Sequence, residues 1–233
     1  MKSPIARLVV PSLCFIMLAG FAGGGCSSSR QQVVQPDYQE KLRGRTTLGV
    51  LPLGSDLMPP RAEVQRTPLT RRGHALFYRL FGLTLSDLAN VTVLEEGRTF
   101  QPEDSTFAYR SLRLSEEDSL TVPVPLTGPV RMDERYPAFL LLIDDLTFAY
   151  GTEEGRQALG TLVTEQLIMT ATCEYVLWDN MAQQLVGYGR LRVTAPTEAG
   201  ANVRAPITLL FQRMSASIIR NSPFVLSGQD ERI

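Results

Sequence analysis

From Val163 to Leu177 the chain alternates, with Val163, Leu167, Met169, Ala171, Cys173, Tyr175 and Leu177 on one side of an extended backbone. Thr164, Gln166, Thr170, Thr172 and Glu174 fall on the other. Successive side chains of a strand point to opposite faces, so this period of two predicts a long strand buried on one face only. Such a strand needs neighbours in a sheet and a layer to cover its apolar side. The run before it, Phe139-Leu140-Leu141-Leu142-Ile143, is apolar at every position, as expected of a strand buried on both faces; it stops at Asp144-Asp145 and resumes as Leu146 to Tyr150. Residues 151–160 read as a turn region. After a further turn at Asp179-Asn180, Leu185 to Val193 returns as a partner strand, in which Gly187 and Gly189 mark a bulge or a close approach by another backbone. Cys173 lies on the apolar face and reads as a small buried hydrophobe, since a reactive thiol needs an electropositive, partly exposed setting.

Two helices and two shorter strands complete the pattern. Thr67 to Leu88 places Leu69, Leu76, Leu80 and Leu83 on one helical face with Phe77 beside them, and Thr67-Pro68 supplies a cap followed by a first-turn proline. His74 falls on this helix with no carboxylate or thiol partner in view and reads as a surface or boundary residue. Near the C-terminus, Ile207, Leu210, Phe211, Met214 and Ile218 keep helical spacing from Asn202 until Pro223. Thr47 to Leu53 and Val91 to Glu95 are short apolar strands. Strand, helix, strand, long insertion, three strands, helix is an α+β order, which predicts a mainly antiparallel sheet with helices packed on one face. The insertion, residues 97–135, contains Val122-Pro123-Val124-Pro125 and Gly128-Pro129, and each proline removes a ladder donor, so no regular interior strand is expected there. A loop of that length in a compact domain is commonly functional. Its acidic group Glu116, Glu117 and Asp118 is the expected partner contact.

The N-terminus sets the address. Lys2 and Arg7 precede an apolar run from Leu8 to Ala22 that is too short to span a bilayer, which takes about 20 apolar residues, and this is the layout of a secretory signal. Gly23-Gly24-Gly25-Cys26-Ser27-Ser28-Ser29 follows. Small residues ending on a lone cysteine resemble the lipobox of bacterial lipoproteins, which implies removal of residues 1–25 and diacylation of Cys26. Gly23 stands where that motif usually has leucine. Cleavage around Ala22 to Gly24 would instead release a soluble periplasmic protein with a free thiol, but a single cysteine directly after the small-residue site favours acylation. Each buried methylene of an acyl chain contributes about 0.8 kcal/mol, so several chains hold a protein at a membrane without a spanning helix. Ser27 after the cysteine resembles lipoproteins sorted to the outer membrane, facing the periplasm. Residues 26–45, polar and without period, read as a flexible tether; residues 46–226 as a single domain; residues 227–233 as a tail.

Composition narrows the function. With 23 Lys+Arg against 24 Asp+Glu and no basic stripe, nucleic acid is excluded as a partner class. Cys14 leaves with the signal and Cys26 is acylated, so Cys173 has no disulfide partner. One histidine and no Cys/His spacing leave zinc without ligands, and no other metal or cofactor is expected. The mature chain has no Gly-x-Ser-x-Gly and no nucleophile with a partnered histidine, so no catalytic residue is assigned and no enzyme is expected.

Leu48-Gly49-Val50-Leu51-Pro52-Leu53, then Tyr136-Pro137-Ala138-Phe139-Leu140-Leu141-Leu142, then Tyr175-Val176-Leu177-Trp178-Asp179 before a hairpin return resemble, as a pattern, the bacterial lipoprotein group that includes CsgG, LpoB and the N-terminal domain of TolB. Phe139 stands where the group has an acidic residue, and residues 97–135 have no counterpart there. The resemblance implies a non-enzymatic, membrane-tethered module that binds an envelope protein or a copy of itself. Auxiliary lipoproteins of lipid-transporting ABC systems share a similar order, so a lipid or small-ligand carrier is the alternative.

Overall fold

In this computed structural model the described residues are 29–40, 42, 44–53, 71–95, 106–132, 134–156, 163–198, 204–220 and 222–224. The signal peptide, Cys26, Thr67-Pro68 and the tail 227–233 lie outside them. In chain order the elements are β1 (Ser29–Val34), a single 3-10 turn (Pro36–Tyr38), β2 (Thr46–Pro52), α1 (Arg71–Leu88), β3 (Val91–Glu95), β4 (Phe107–Arg113), β5 (Ser119–Pro125), β6 (Phe139–Arg156), β7 (Val163–Asp179), β8 (Gln184–Pro196) and α2 (Arg204–Arg220). The fold is α+β. One sheet has the order β1-β8-β7-β6-β2-β3, and β4-β5 form a separate two-stranded ribbon.

The sheet is antiparallel from β1 through β6 and parallel where β2 joins β6 and β3. Hairpins β6-β7 and β7-β8 account for the antiparallel part, since short turns can only reverse a strand. The two parallel pairs need crossovers, supplied by α1 between β2 and β3 and by the β4-β5 region between β3 and β6.

Alternation along β7 sorts the core as expected. Met169, Ala171, Cys173, Tyr175 and Leu177 join Leu48, Val50, Leu141, Leu191 and Val193 beneath Phe81 and Leu85 of α1 and Leu210, Phe211, Met214 and Ile218 of α2. Full burial of such side chains contributes about 1.5–3 kcal/mol each. Among the described side chains of α1, Phe81 and Leu85, one turn apart, are buried, while Leu83 is exposed. The helix is apolar around much of its circumference there, and packing selects the Phe81 stripe over the one through Leu83.

Three expectations are corrected. Residues 151–160 do not begin with a turn: β6 continues through Arg156 and stays paired to Val163. The segment read as part of a flexible tether opens with β1, which pairs antiparallel with β8 from Ser29↔Arg192 to Val34↔Gly187. Edge strands are held by backbone hydrogen bonds, so Ser-Arg-Gln-Gln-Val-Val needs no apolar period to join a sheet. Gly187 and Gly189 make this possible: a Cβ there would lie 2.9 Å from the Val33 carbonyl and 2.5 Å from that of Gln31. Backbone approach and bulge both occur, because the β7-β8 register shifts between Leu177↔Gly187 and Trp178↔Leu185. Last, the insertion is not all loop, since its described part holds β4 and β5. Its β4-β5 ribbon covers the sheet face opposite the helices, burying Leu120, Val122 and Val124 against Leu140, Leu142, Val176, Trp178 and Tyr188. Pro123 and Pro125 are tolerated because a two-stranded ribbon has outer edges where a missing N–H breaks no ladder.

Candidate functional site

Polar chemistry gathers where the β4-β5 ribbon stops short of covering its sheet face. Even-numbered positions of β7 point toward the ribbon, so Val176 and Trp178 are followed along the strand by Glu174. Glu174 pairs in register with Asp144 of β6 on one side and Arg190 of β8 on the other, and Arg190 pairs with Gln31 of β1. Four neighbouring strands thus carry a polar row directly beyond the apolar patch.

Arg190 organises this row. Its Nη2 and Nε donate to Glu174 Oε1 at 2.9 and 3.1 Å, and its Nη1 donates to Asp118 Oδ2 at 3.1 Å. Asp118 arrives from the turn joining β4 to β5, so the ion pair closes the end of the ribbon onto the sheet. A second clasp is the Tyr188 hydroxyl, which donates to the Arg113 carbonyl at 2.6 Å. Burial pushes the Tyr188 hydroxyl above the ordinary tyrosine value. The turn is braced from within, since the Asp118 N–H donates to Ser115 Oγ at 3.1 Å and the Leu114 N–H to the Asp118 carbonyl at 2.9 Å.

The expected acidic trio is therefore divided. Glu116 and Glu117 stand exposed on the turn, while Asp118 is turned inward to Arg190. Sequence reasoning missed Arg190, Glu174 and Asp144 as a group. Glu174 was visible on the polar side of β7, but its partner on β8 follows only from a register that the bulge displaces by one residue.

Asp144 ends the straight part of β6. Its Oδ1 accepts the Asp145 N–H at 3.0 Å, Asp145 takes a left-handed φ of 46°, and the register shifts before Thr147. Burial, with the Asp145 and Glu174 charges adding to it, pushes the Asp144 carboxyl up to about 6, against the opposing hydrogen bond from Asp145. Among the described residues no group of three or more His, Cys, Asp or Glu is placed to hold a metal ion. Cys173 is buried beneath the helices, and burial pushes its thiol well above the ordinary range, so it is inert at neutral pH. The His74 side chain and Cys26 lie outside what is described.

At the other end of the same strands, Asn180 ties the 126–138 segment to the β7-β8 turn. It is fully buried; Oδ1 accepts the Val130 N–H at 2.7 Å, and Nδ2 donates to the Val130 and Pro137 carbonyls at 2.9 Å each. Tyr136 and Met181 flank this clamp and are both exposed. No helix among the described residues is long and apolar enough to cross a membrane.

No protein-family model and no curated protein matches the chain. Among solved structures it is similar to the PelC dodecamer from Paraburkholderia phytofirmans, at a TM-score of 0.35 and 14% identity over 80% of this chain and 94% of that one. A single-substitution variant of the same dodecamer, in another crystal form, gives a TM-score of 0.34 at 14% identity over 80% and 93%.

Proposed function

We propose that this chain is a lipoprotein, anchored through Cys26 to the outer membrane and facing the periplasm, whose domain is a non-enzymatic binding or assembly module of the cell envelope. The signal-like N-terminus and the lone cysteine after three glycines support the anchor. The observation that carries the binding role is the sheet's β3 edge. Both faces of the sheet are covered from within, by helices on one side and by the β4-β5 ribbon on the other. Among the described residues β3 is the last strand in the order, and Val91-Thr92-Val93-Leu94-Glu95 carries no proline and a single charge, at its end. An edge without such blunting is a template for a strand from another chain, whether an envelope protein or a second copy. Anchoring raises the effective concentration of the domain near membrane-bound partners, which lets a modest edge interaction suffice.

The test has two readouts. Mass measurement of the mature N-terminus should find Cys26 bearing acyl chains; an unmodified thiol, or a start downstream of it, removes the anchor. Capture of the tagged, acylated protein from detergent-solubilised envelope should recover a stoichiometric protein partner or itself, and Thr92→Lys, at an exposed edge position, should weaken that recovery while leaving the circular dichroism unchanged. Recovery of free lipid alone would remove the binding role in favour of a carrier.

A further inference from the structure

We propose that the sheet end from which the β6-β7 ribbon projects is the membrane-facing side of the domain, with the ribbon lying across the lipid headgroups and the Asn180 end turned toward the periplasm. This rests on Cys26 carrying the lipid. The argument begins with chain length. β1 starts at Ser29, three residues after Cys26. Three residues reach at most about 11 Å, so an acylated Cys26 holds Ser29 close to the bilayer surface.

Register then fixes which end of the sheet that is. Ser29 pairs with Arg192 of β8, Arg192 with Thr172 of β7, and Thr172 with Thr147 of β6. β1 runs antiparallel to β8, so the chain leading back from Ser29 toward Cys26 departs in the direction in which β6 runs from Thr147 to Arg156. Beyond that row the sheet narrows to a ribbon. β2 leaves β6 at Ile143, β8 leaves β7 at Ile168, and among the described residues only β6 and β7 remain paired as far as Arg156↔Val163.

From Thr147 to Arg156 β6 extends about 30 Å, at about 3.4 Å per residue, the part past Gly151↔Ile168 as a two-stranded ribbon, and its tip is well beyond the reach of the anchor. Held parallel to β1, it would enter hydrocarbon. Neighbouring strands twist by about 20–25°, and three steps separate β1 from β6, so the ribbon diverges from β1 by roughly 60–75° and lies along the surface instead.

Its chemistry suits that depth. Tyr150 is exposed near the ribbon's base, and an amphipathic ring is at home among headgroups. Arg192, exposed in the same row as Ser29, offers positive charge to anionic lipid. Glu153, half-buried on the ribbon, resists entry into hydrocarbon. Met181 and Tyr136 lie beyond Phe139↔Asp179, about 27 Å back along β6 from Thr147 at the same rise per residue.

The experiment places a fluorophore on the acylated full-length protein at Thr152→Cys or at Met181→Cys, both exposed positions. Cys173 is buried and stays unlabelled. The protein is reconstituted in vesicles of phosphatidylethanolamine and phosphatidylglycerol containing a headgroup-linked quencher. Quenching at 152 should exceed that at 181 several-fold. Equal quenching, or stronger quenching at 181, overturns the orientation; so does a probe at 152 shielded from lipid-borne and aqueous quenchers alike, which would mean that protein covers the ribbon. The N-terminal mass of the same sample separates the two failures: an acylated Cys26 with the wrong quenching order overturns this inference alone, and an unmodified Cys26 overturns both it and the anchor.

Discussion

The two faces of the sheet are covered by different means, and the coverings fail differently. Beneath α1 and α2 the apolar surface runs along the sheet from Leu177 and Phe139 as far as Met169 and Phe148, whose ring meets Phe211 edge-on at 6.1 Å. Beneath the β4-β5 ribbon it is shorter, and gives way at Asp144, Glu174 and Arg190 to charge. Helices bring bulky side chains down along their whole length, so their face can be dry throughout. A two-stranded ribbon is marginal by itself in water, and this one is held down by a small apolar patch, the Tyr188 hydroxyl and the Asp118–Arg190 ion pair. Global stability therefore belongs to the helical face, and local opening to the ribbon.

The largest effect is expected from Phe211→Ala. It leaves a cavity at the centre of the dry face and should lower unfolding free energy by about 3–5 kcal/mol in urea titrations. An equal loss from Leu120→Ala, with the whole domain unfolding together, would erase the distinction between the faces. Asn180→Ala comes next: it strands the buried Val130 N–H and two carbonyls, and should cost about 2–3 kcal/mol. Hydrogen exchange should then show the Val130 amide opening while the α2 amides stay protected. Gly189→Ala is smaller, about 1–3 kcal/mol, since the new methyl meets the Gln31 carbonyl at 2.5 Å, which cannot yield as the Gln32 side chain at 3.0 Å could. Amides of residues 29–34 should lose protection first, which would lengthen the leash on which the proposed membrane orientation depends.

The smallest effect is a pH dependence. Because the folded protein holds the Asp144 proton up to about pH 6 and the unfolded chain releases it near the ordinary carboxylate value, stability falls as pH rises through that window and the penalty is complete above it. Asp144→Asn keeps an acceptor for the Asp145 N–H and removes the charge. The variant should melt at a higher temperature than the parent above pH 6 and at the same temperature below pH 4. A gain independent of pH would place the effect in packing, and the polar row would lose its electrostatic character.

Legibility in the sequence followed the same division. β7, its hairpin partners and α2 were readable because each buries a continuous face, and burial prints its period on the residues. The ribbon was unreadable because its prolines argue against a strand, and the sheet face that tolerates them belongs to residues far along the chain. Asp118 was legible as an acid but not as the partner of Arg190, since that pairing depends on a bulged register. On α1 the helical period pointed to Leu83, which is exposed, and missed Phe81, which is buried, because a helix apolar on several sides does not say which stripe packs.

The amino-acid order alone determined the α+β class, the hairpin whose turn begins at Asp179-Asn180, the inert burial of Cys173 and the cysteine-bearing leader. Only the folded chain decided that Ser29–Val34, after that leader, form an edge strand, and hence from which end of the sheet the N-terminal leader departs. Side-chain burial leaves a local trace in sequence; backbone pairing at an edge, which almost any residue can supply, leaves none.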